Sequence, residues 1–226
     1  MALSLRATFL FSMKWTLLFA LVLMPLFSAQ AGSVQLTDKQ ALEIGKRIWV
    51  NECAGTISGL TSWNKGEAFP SLGIAHFIWY PPGKRGPFEE SWPGLAKYLA
   101  ANGADVAPWM LGACPWETRA AFVGDLNAPR LTQLRNLLSK SIALQARYAA
   151  LRLESALPKI LHATSPAKAS PVRANFERVA AQPLGFYVLM DYVNFKGEGI
   201  NPSERYNGAG WGLLQVLENM NPSAPA

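Results

Sequence analysis

The sequence predicts a mainly helical α+β domain, and three observations carry that reading. Apolar residues recur near helical period over long stretches, above all Leu131, Leu134, Leu138, Ile142, Ala146 and Leu153. Glycine and proline cut the chain into segments of helix rather than strand length. Residues 69–80 are the exception, mixing β-branched, aromatic and glycine residues as a short strand and turn do, so a small hairpin or loop lobe should stand beside the helices.

The first 31 residues read as an export signal. Arg6 and Lys14 precede the apolar run 15–27, and Ala29-Gln30-Ala31 has the small-x-small pattern of a cleavage site, so cleavage is expected after Ala31. A retained anchor is the alternative, disfavoured by Pro25. Of 226 residues, 195 would remain as a single domain, residues 32–226, with a sizeable core. Losing Arg6 and Lys14 takes Lys+Arg from 21 to 19 against 15 Asp+Glu, a formal charge of +4. That mild, scattered excess suits an anionic envelope polymer and argues against nucleic acid. The later apolar runs are broken by charges, so no further membrane span is expected, and the product should be periplasmic or secreted.

Thr37-Asp38-Lys39-Gln40 has the form of a capping box, and a helix should start there. Ala41, Ile44, Gly45, Ile48 and Glu52 then fall on one face, so Glu52 stands where an apolar residue is expected. Gly55, Gly59 and Gly66 end the helix in a loop or short hairpin. Residues 81–87 form a stiff basic loop. The next helix starts at Ser91 or Trp92 because Pro93 fits only a first turn, and Asn102-Gly103 stops it. A short helix follows at 116–123, then a long one at 129–157 that Pro158 kinks or ends. Residues 164–171 read as a linker-like turn. Helices at 172–181, 184–195 and 211–218 complete the domain, with a frayed tail at 221–226.

Glu52 is the residue with the strongest chemical reading. A carboxylate near a helix C-terminus lies at the wrong end of the macrodipole. Burial beside Trp49 would raise its pKa further, as a general acid requires. A solvated carboxylate at a frayed helix end is the structural alternative. Cys53 and Cys114, an even pair in an exported chain, are expected to form a disulfide. The competing possibility is a nucleophilic Cys53 thiol with His76 as base, as in a cysteine peptidase or amidase. His76 and His162 are the chain's two histidines, and without a ligand-spaced His pair or a four-cysteine set, neither zinc nor another cofactor is expected.

Glu52, followed by a glycine-rich stretch and then Ser71-Leu72-Gly73-Ile74-Ala75-His76, resembles the lysozyme-like superfamily. The last run is most similar to phage-type lysozymes, in which Thr-x-Gly-x-Gly-His follows the catalytic Glu. Asn194-Phe195-Lys196-Gly197-Glu198-Gly199 is similar to that family's Phe-Asn-x-Gly-x-Gly helix end. Gly210-Trp211-Gly212-Leu213-Leu214-Gln215-Val216 resembles a run of soluble lytic transglycosylases, placed later in this chain. Ser71 stands in place of Thr, Ala75 in place of Gly, and no Asp lies between Glu52 and His76. The resemblance implies a lysozyme-like fold and cleavage of the glycan strand of peptidoglycan, either by hydrolysis or by lytic transglycosylation in which one Glu serves as acid and then base. Glu52 would be the general acid, assisted on the opposite side by Glu67, the sole acid in that interval, or by a water aligned by Ser71. His76 would hold the site in shape. Trp63, Trp79 and Tyr80 are candidate sugar platforms, and Asn194, Tyr206 and Gln215 candidate hydrogen-bonding residues for glycan. A non-catalytic glycan-binding or envelope scaffold protein of the same fold is the alternative.

Overall fold

A computed structural model describes residues 36–86, 88–182, 184–201, 205–206 and 209–221, without the side chains of 194, 195, 205 and 206. Residues 1–31, expected to be an export signal, and residues 222–226 of the tail lie outside that description. The described residues belong to one compact unit, Ser33–Ala226. It is mainly helical with a small antiparallel sheet, the α+β class expected.

Helix α1 is Asp38–Cys53, and its capping box forms as the sequence reads. The Gln40 N–H donates to Thr37 Oγ1 at 3.2 Å, and the Thr37 N–H donates to Gln40 Oε1 at 3.0 Å. Ala41, Gly45 and Ile48 are buried. Gly45 is where α1 meets the later helix α5, since a Cβ there would lie 2.8 Å from Ile142 Cγ2. The helix ends in a left-handed residue, which is Ala54 (φ 53°) rather than the glycine expected.

A 3-10 turn, Ser58–Leu60, leads into three two-residue strands, β1 (Thr61–Ser62), β2 (Ser71–Leu72) and β3 (Phe77–Ile78). They pair antiparallel in that order, with Ser62 opposite Ser71 and Leu72 opposite Phe77. The turn Gly73–His76 joins β2 to β3. Two arginines fasten β1 to the helices: Arg135 Nε donates to Thr61 Oγ1 at 2.8 Å and Arg119 Nε to the Trp63 carbonyl at 2.7 Å.

Helix α2 (Trp92–Ala101) carries Pro93 in its first turn, and the short α3 (Arg119–Gly124) begins at the Thr118 cap. The single long helix expected at 129–157 is instead two, α4 (Pro129–Lys140) and α5 (Ile142–Ala163), broken at Ser141. Gln145 accounts for the break. Its Nε2 donates to the Leu138 carbonyl at 2.6 Å and to Ser141 Oγ at 3.0 Å, satisfying groups that a continuous ladder would have used. Helix α5 runs through Pro158, which faces solvent while Leu157 and Ile160 stay buried, so packing carries the helix past the missing N–H. Residues 166–171, expected as a linker, open helix α6 (Pro166–Ala180), where Pro166 takes a first-turn position.

Helix α7 (Gly185–Lys196), a hairpin of β4 (Arg205–Tyr206) and β5 (Ala209–Gly210), and helix α8 (Leu213–Asn219) follow. The first N–H groups of α8 donate to the carbonyls of Gly197 and Glu198, which locks the loop after α7 onto it. Among the described residues no helix is long and apolar enough to cross a membrane.

Gln145 also reaches the sheet, where its Oε1 accepts from the Ile74 N–H at 3.0 Å in a fully buried setting. Replacing Gln145 by Leu keeps the volume but strands that N–H, at a cost of about 1–3 kcal/mol. Denaturant unfolding should show this loss with an unchanged m-value; a variant as stable as wild type would contradict the assignment.

Candidate active site

The end of α1, the turn Gly73–His76 and the middle of α7 meet at one place. Glu52 is half-buried in the last turn of α1 and is fully helical, not frayed. Burial raises its pKa above the ordinary carboxylate value. The His76 ring hydrogen-bonds to the main-chain carbonyl of Glu52. His76 itself is left-handed (φ 51°), a conformation uncommon outside glycine but more frequent for His than for most residues. Burial lowers its pKa, opposed by that hydrogen bond and by the charges of Glu67 and Asp191, so the ring enters the site neutral at neutral pH.

Asp191 is the residue that sequence reasoning missed. It sits in α7, half-buried, and its pKa is pushed up to about 6, first by burial and then by the nearby charge of Glu52, with His76 working the other way. The Asn51 Nδ2 donates to Tyr187 Oη at 2.9 Å, tying the residue before Glu52 to the residue one helical turn before Asp191. Among the described residues no lysine or arginine forms an ion pair with Asp191. The available signal was a lone acid within the apolar run Phe186 to Val193, which has no counterpart in the motifs that drew attention to Glu52.

The other expected residues divide clearly. Glu67 acts on His76 electrostatically, whereas the acid interacting with Glu52 is Asp191. Glu67 Oε1 accepts from Asn64 Nδ2 at 3.2 Å, and its Oε2 is buried with no partner. Ser71 is buried in β2, just ahead of the turn. Trp63, Trp79 and Tyr80 are not sugar platforms: they are 5 %, 1 % and 3 % exposed. Trp79 stacks on Trp92 with centroids 5.1 Å apart, Trp63 meets Phe122 edge-on, and Tyr80 Oη donates to the Phe88 carbonyl. Core packing claimed these rings because their large apolar faces are worth more buried than exposed. Gln215 Nε2 is occupied by the Gly199 carbonyl at 2.9 Å, so its role is to brace the loop after α7. The side chains of Asn194 and Tyr206 lie outside the described residues.

The disulfide does not form. Both cysteines are buried free thiols; Cys53 Sγ donates to the Gly73 carbonyl at 3.6 Å and Cys114 Sγ to the Trp116 carbonyl at 3.5 Å. Burial pushes Cys53 to about 12 and Cys114 to about 11, which removes the nucleophilic-thiol alternative at physiological pH.

A cleft of about 730 Å³ opens beside this cluster, and His76 belongs to both. Its walls are Ala75 and His76 of the turn, Phe88, Glu89 and Ser91 ahead of α2, one face of α5 from Tyr148 to Lys159, and the end of α7 with its following loop. Ion pairs hold two of these loops to α5: Arg152 to Glu89 at 3.0 Å and Lys159 to Glu198 at 2.9 Å. Phe88 and Tyr148 supply the aromatic lining. Comparison with protein-family models, with curated proteins and with solved structures gives no match in any of the three. The chemistry of the site therefore rests on its own geometry: a neutral imidazole that lines a polar cleft and is bonded to the main chain of Glu52 behind it. Among the described residues no group of three or more His, Cys, Asp and Glu is placed to hold a metal ion.

Two outcomes follow from these environments. An acid whose folded pKa is raised binds more protons folded than unfolded, so its contribution to stability is present at low pH and lost as pH rises through about 6. Asp191→Asn should therefore be more stable than wild type at pH 7.5, with the gain shrinking toward pH 4; thermal unfolding across that range checks it, and a gain that grows on acidification would refute it. Thiol titration of the native protein at pH 8 should find no reactive cysteine, and the denatured, unreduced protein should show two.

Proposed function

We propose that this chain is an exported enzyme of lysozyme-like fold that cleaves the glycan strand of peptidoglycan, with Glu52 as general acid. The observation that carries the reading is the placement of Glu52. A half-buried carboxyl ends the first helix against the turn of a small antiparallel hairpin, and that turn lines a cleft through His76. The arrangement follows the ordered motif pair Glu52 and Ser71–His76 that resembles phage-type lysozymes.

The chemistry is consistent with that role. Burial favours the protonated form of Glu52, the state that can give a proton to a glycosidic oxygen. His76, neutral and bonded to the Glu52 main chain, fixes the end of α1 relative to the cleft without placing a competing positive charge there. The cleft volume falls within the range of about 300–1,000 Å³ common for ligand sites. Its lining is mostly polar, with Ser91, Ser155 and Asn201 beside the aromatic rings of Phe88 and Tyr148, a mixture that suits a sugar.

Glu52→Gln should reduce release of muropeptides from purified sacculi by at least about a hundredfold, with a thermal midpoint at or above that of wild type. Full activity in this variant would exclude Glu52 as the acid. Retention of wild-type protein on sacculi without soluble products would instead identify a glycan-binding protein.

A further inference from the structure

We propose that Phe88 and Leu151 are the apolar contacts through which the cleft holds the sugar rings of the glycan strand, and that the cleft reads this uncharged backbone rather than the peptides attached to it. The inference rests on the glycan-cleaving reading given above and names what the cleft recognises. The sequence pattern pointed to Trp63, Trp79 and Tyr80, which the core absorbs. The fold puts a different ring in the cleft.

Phe88 is 48 % exposed and Leu151 47 %, and both line the cleft. A single apolar side chain on open surface needs no explanation, but two large ones left uncovered within one concave site do. Tyr148, the other aromatic residue of the wall, packs its ring against Phe77 and Tyr98, with centroids 5.8 and 5.4 Å apart. Phe88 is exposed without being loose. Tyr80 Oη donates to its carbonyl at 3.2 Å, Glu89 pairs with Arg152 at 3.0 Å, and Glu90 Oε1 accepts from the Tyr80 N–H at 2.8 Å, so three successive residues are pinned. The ring itself meets Phe69 at 81°, with centroids 6.0 Å apart. A ring held in place before a ligand arrives loses little freedom on binding.

Charge decides between sugar and peptide. Besides the neutral His76, the charged side chains of the cleft wall are Glu89, Arg152, Lys159 and Glu198, and they pair with one another, Arg152 with Glu89 at 3.0 Å and Lys159 with Glu198 at 2.9 Å. A peptide bearing carboxylates would have to compete with those partners. A pyranose chair needs no charged group: its axial C–H groups suit the electron-rich face of a phenyl ring, and its hydroxyl and amide edge suits uncharged groups such as Ser155 and Asn201.

The test measures calorimetric binding of soluble glycan strands, with their peptides and freed of them, to Glu52→Gln protein so that turnover does not intervene. If that variant still turns over, KM in the wild-type background is read instead. Adding Phe88→Ala or Leu151→Ser should each weaken binding about tenfold or more, whereas Phe88→Tyr, which keeps the ring, should stay within about threefold of the parent. Leu151 lies on α5 and has no part in pinning residues 88–90, so its effect separates a lost sugar contact from a displaced loop. Removing the peptides should change the parent's affinity by less than about threefold. Unchanged binding in Phe88→Ala or Leu151→Ser, or strands that bind only with peptides attached, would overturn the proposal while an inactive Glu52→Gln leaves the general-acid reading standing. A parent that binds neither form also overturns it, and if wild type releases nothing from sacculi the glycan-cleaving reading falls as well.

Discussion

The buried amide of Gln145 is the interaction on which the site's geometry depends. Its Nε2 satisfies the C-terminal carbonyl of Leu138 in α4, and its Oε1 receives the Ile74 N–H from the turn of the β2–β3 hairpin. One side chain thus joins a helix end, where it shares the Leu138 carbonyl with Ser141, to a turn whose Ile74 N–H it pairs. The constraint extends to Gly73, where a Cβ would lie 2.3 Å from Gln145 Oε1 and where φ is +71°. Only glycine fits such an approach in that conformation. The Gly73 carbonyl in turn accepts from Cys53 Sγ, directly after Glu52, and the same turn presents His76. Both sides of the candidate site are therefore referred to a single fixed point in the helical body.

Around that point the protein gathers titratable groups without the cations that would normally neutralise them. The nearby ion pairs, Arg152–Glu89 and Lys159–Glu198, lie on the cleft wall and restrain loops instead. Glu52 and Asp191 are left to settle their charge by holding protons more tightly, which is what burial does to unpaired acids. Such an arrangement costs stability near neutral pH. The neutral His76 fits the same logic, because a buried imidazolium would have paired with these acids and removed their proton affinity.

Local signals were legible in the sequence where local physics decided the outcome. The Thr37–Gln40 capping box, the apolar face of α1 with Glu52 at its edge, and the start of α2 around Pro93 all depend on contacts within a few residues. The errors share another origin. The break at Ser141 depends on Gln145 turning back to Leu138 and across to Ile74, and the continuity of α5 through Pro158 depends on what Leu157 and Ile160 pack against. The tryptophans looked like binding surfaces because pattern reading cannot tell whether an aromatic face meets solvent or other rings. Cys53 and Cys114 were paired on count and compartment, yet each thiol has its own carbonyl acceptor.

The sequence by itself determined the helical class, the limits of the first helix and the identity of its displaced acid, because capping chemistry and helical period act over a few residues. Tertiary structure alone decided which acid stands beside Glu52, whether the cysteines meet, and which aromatic rings line the cleft. Glu52 and Asp191 lie 139 positions apart in the chain, and no local rule links them. The hydrogen bond from Asn51 to Tyr187 links the two helices that carry them.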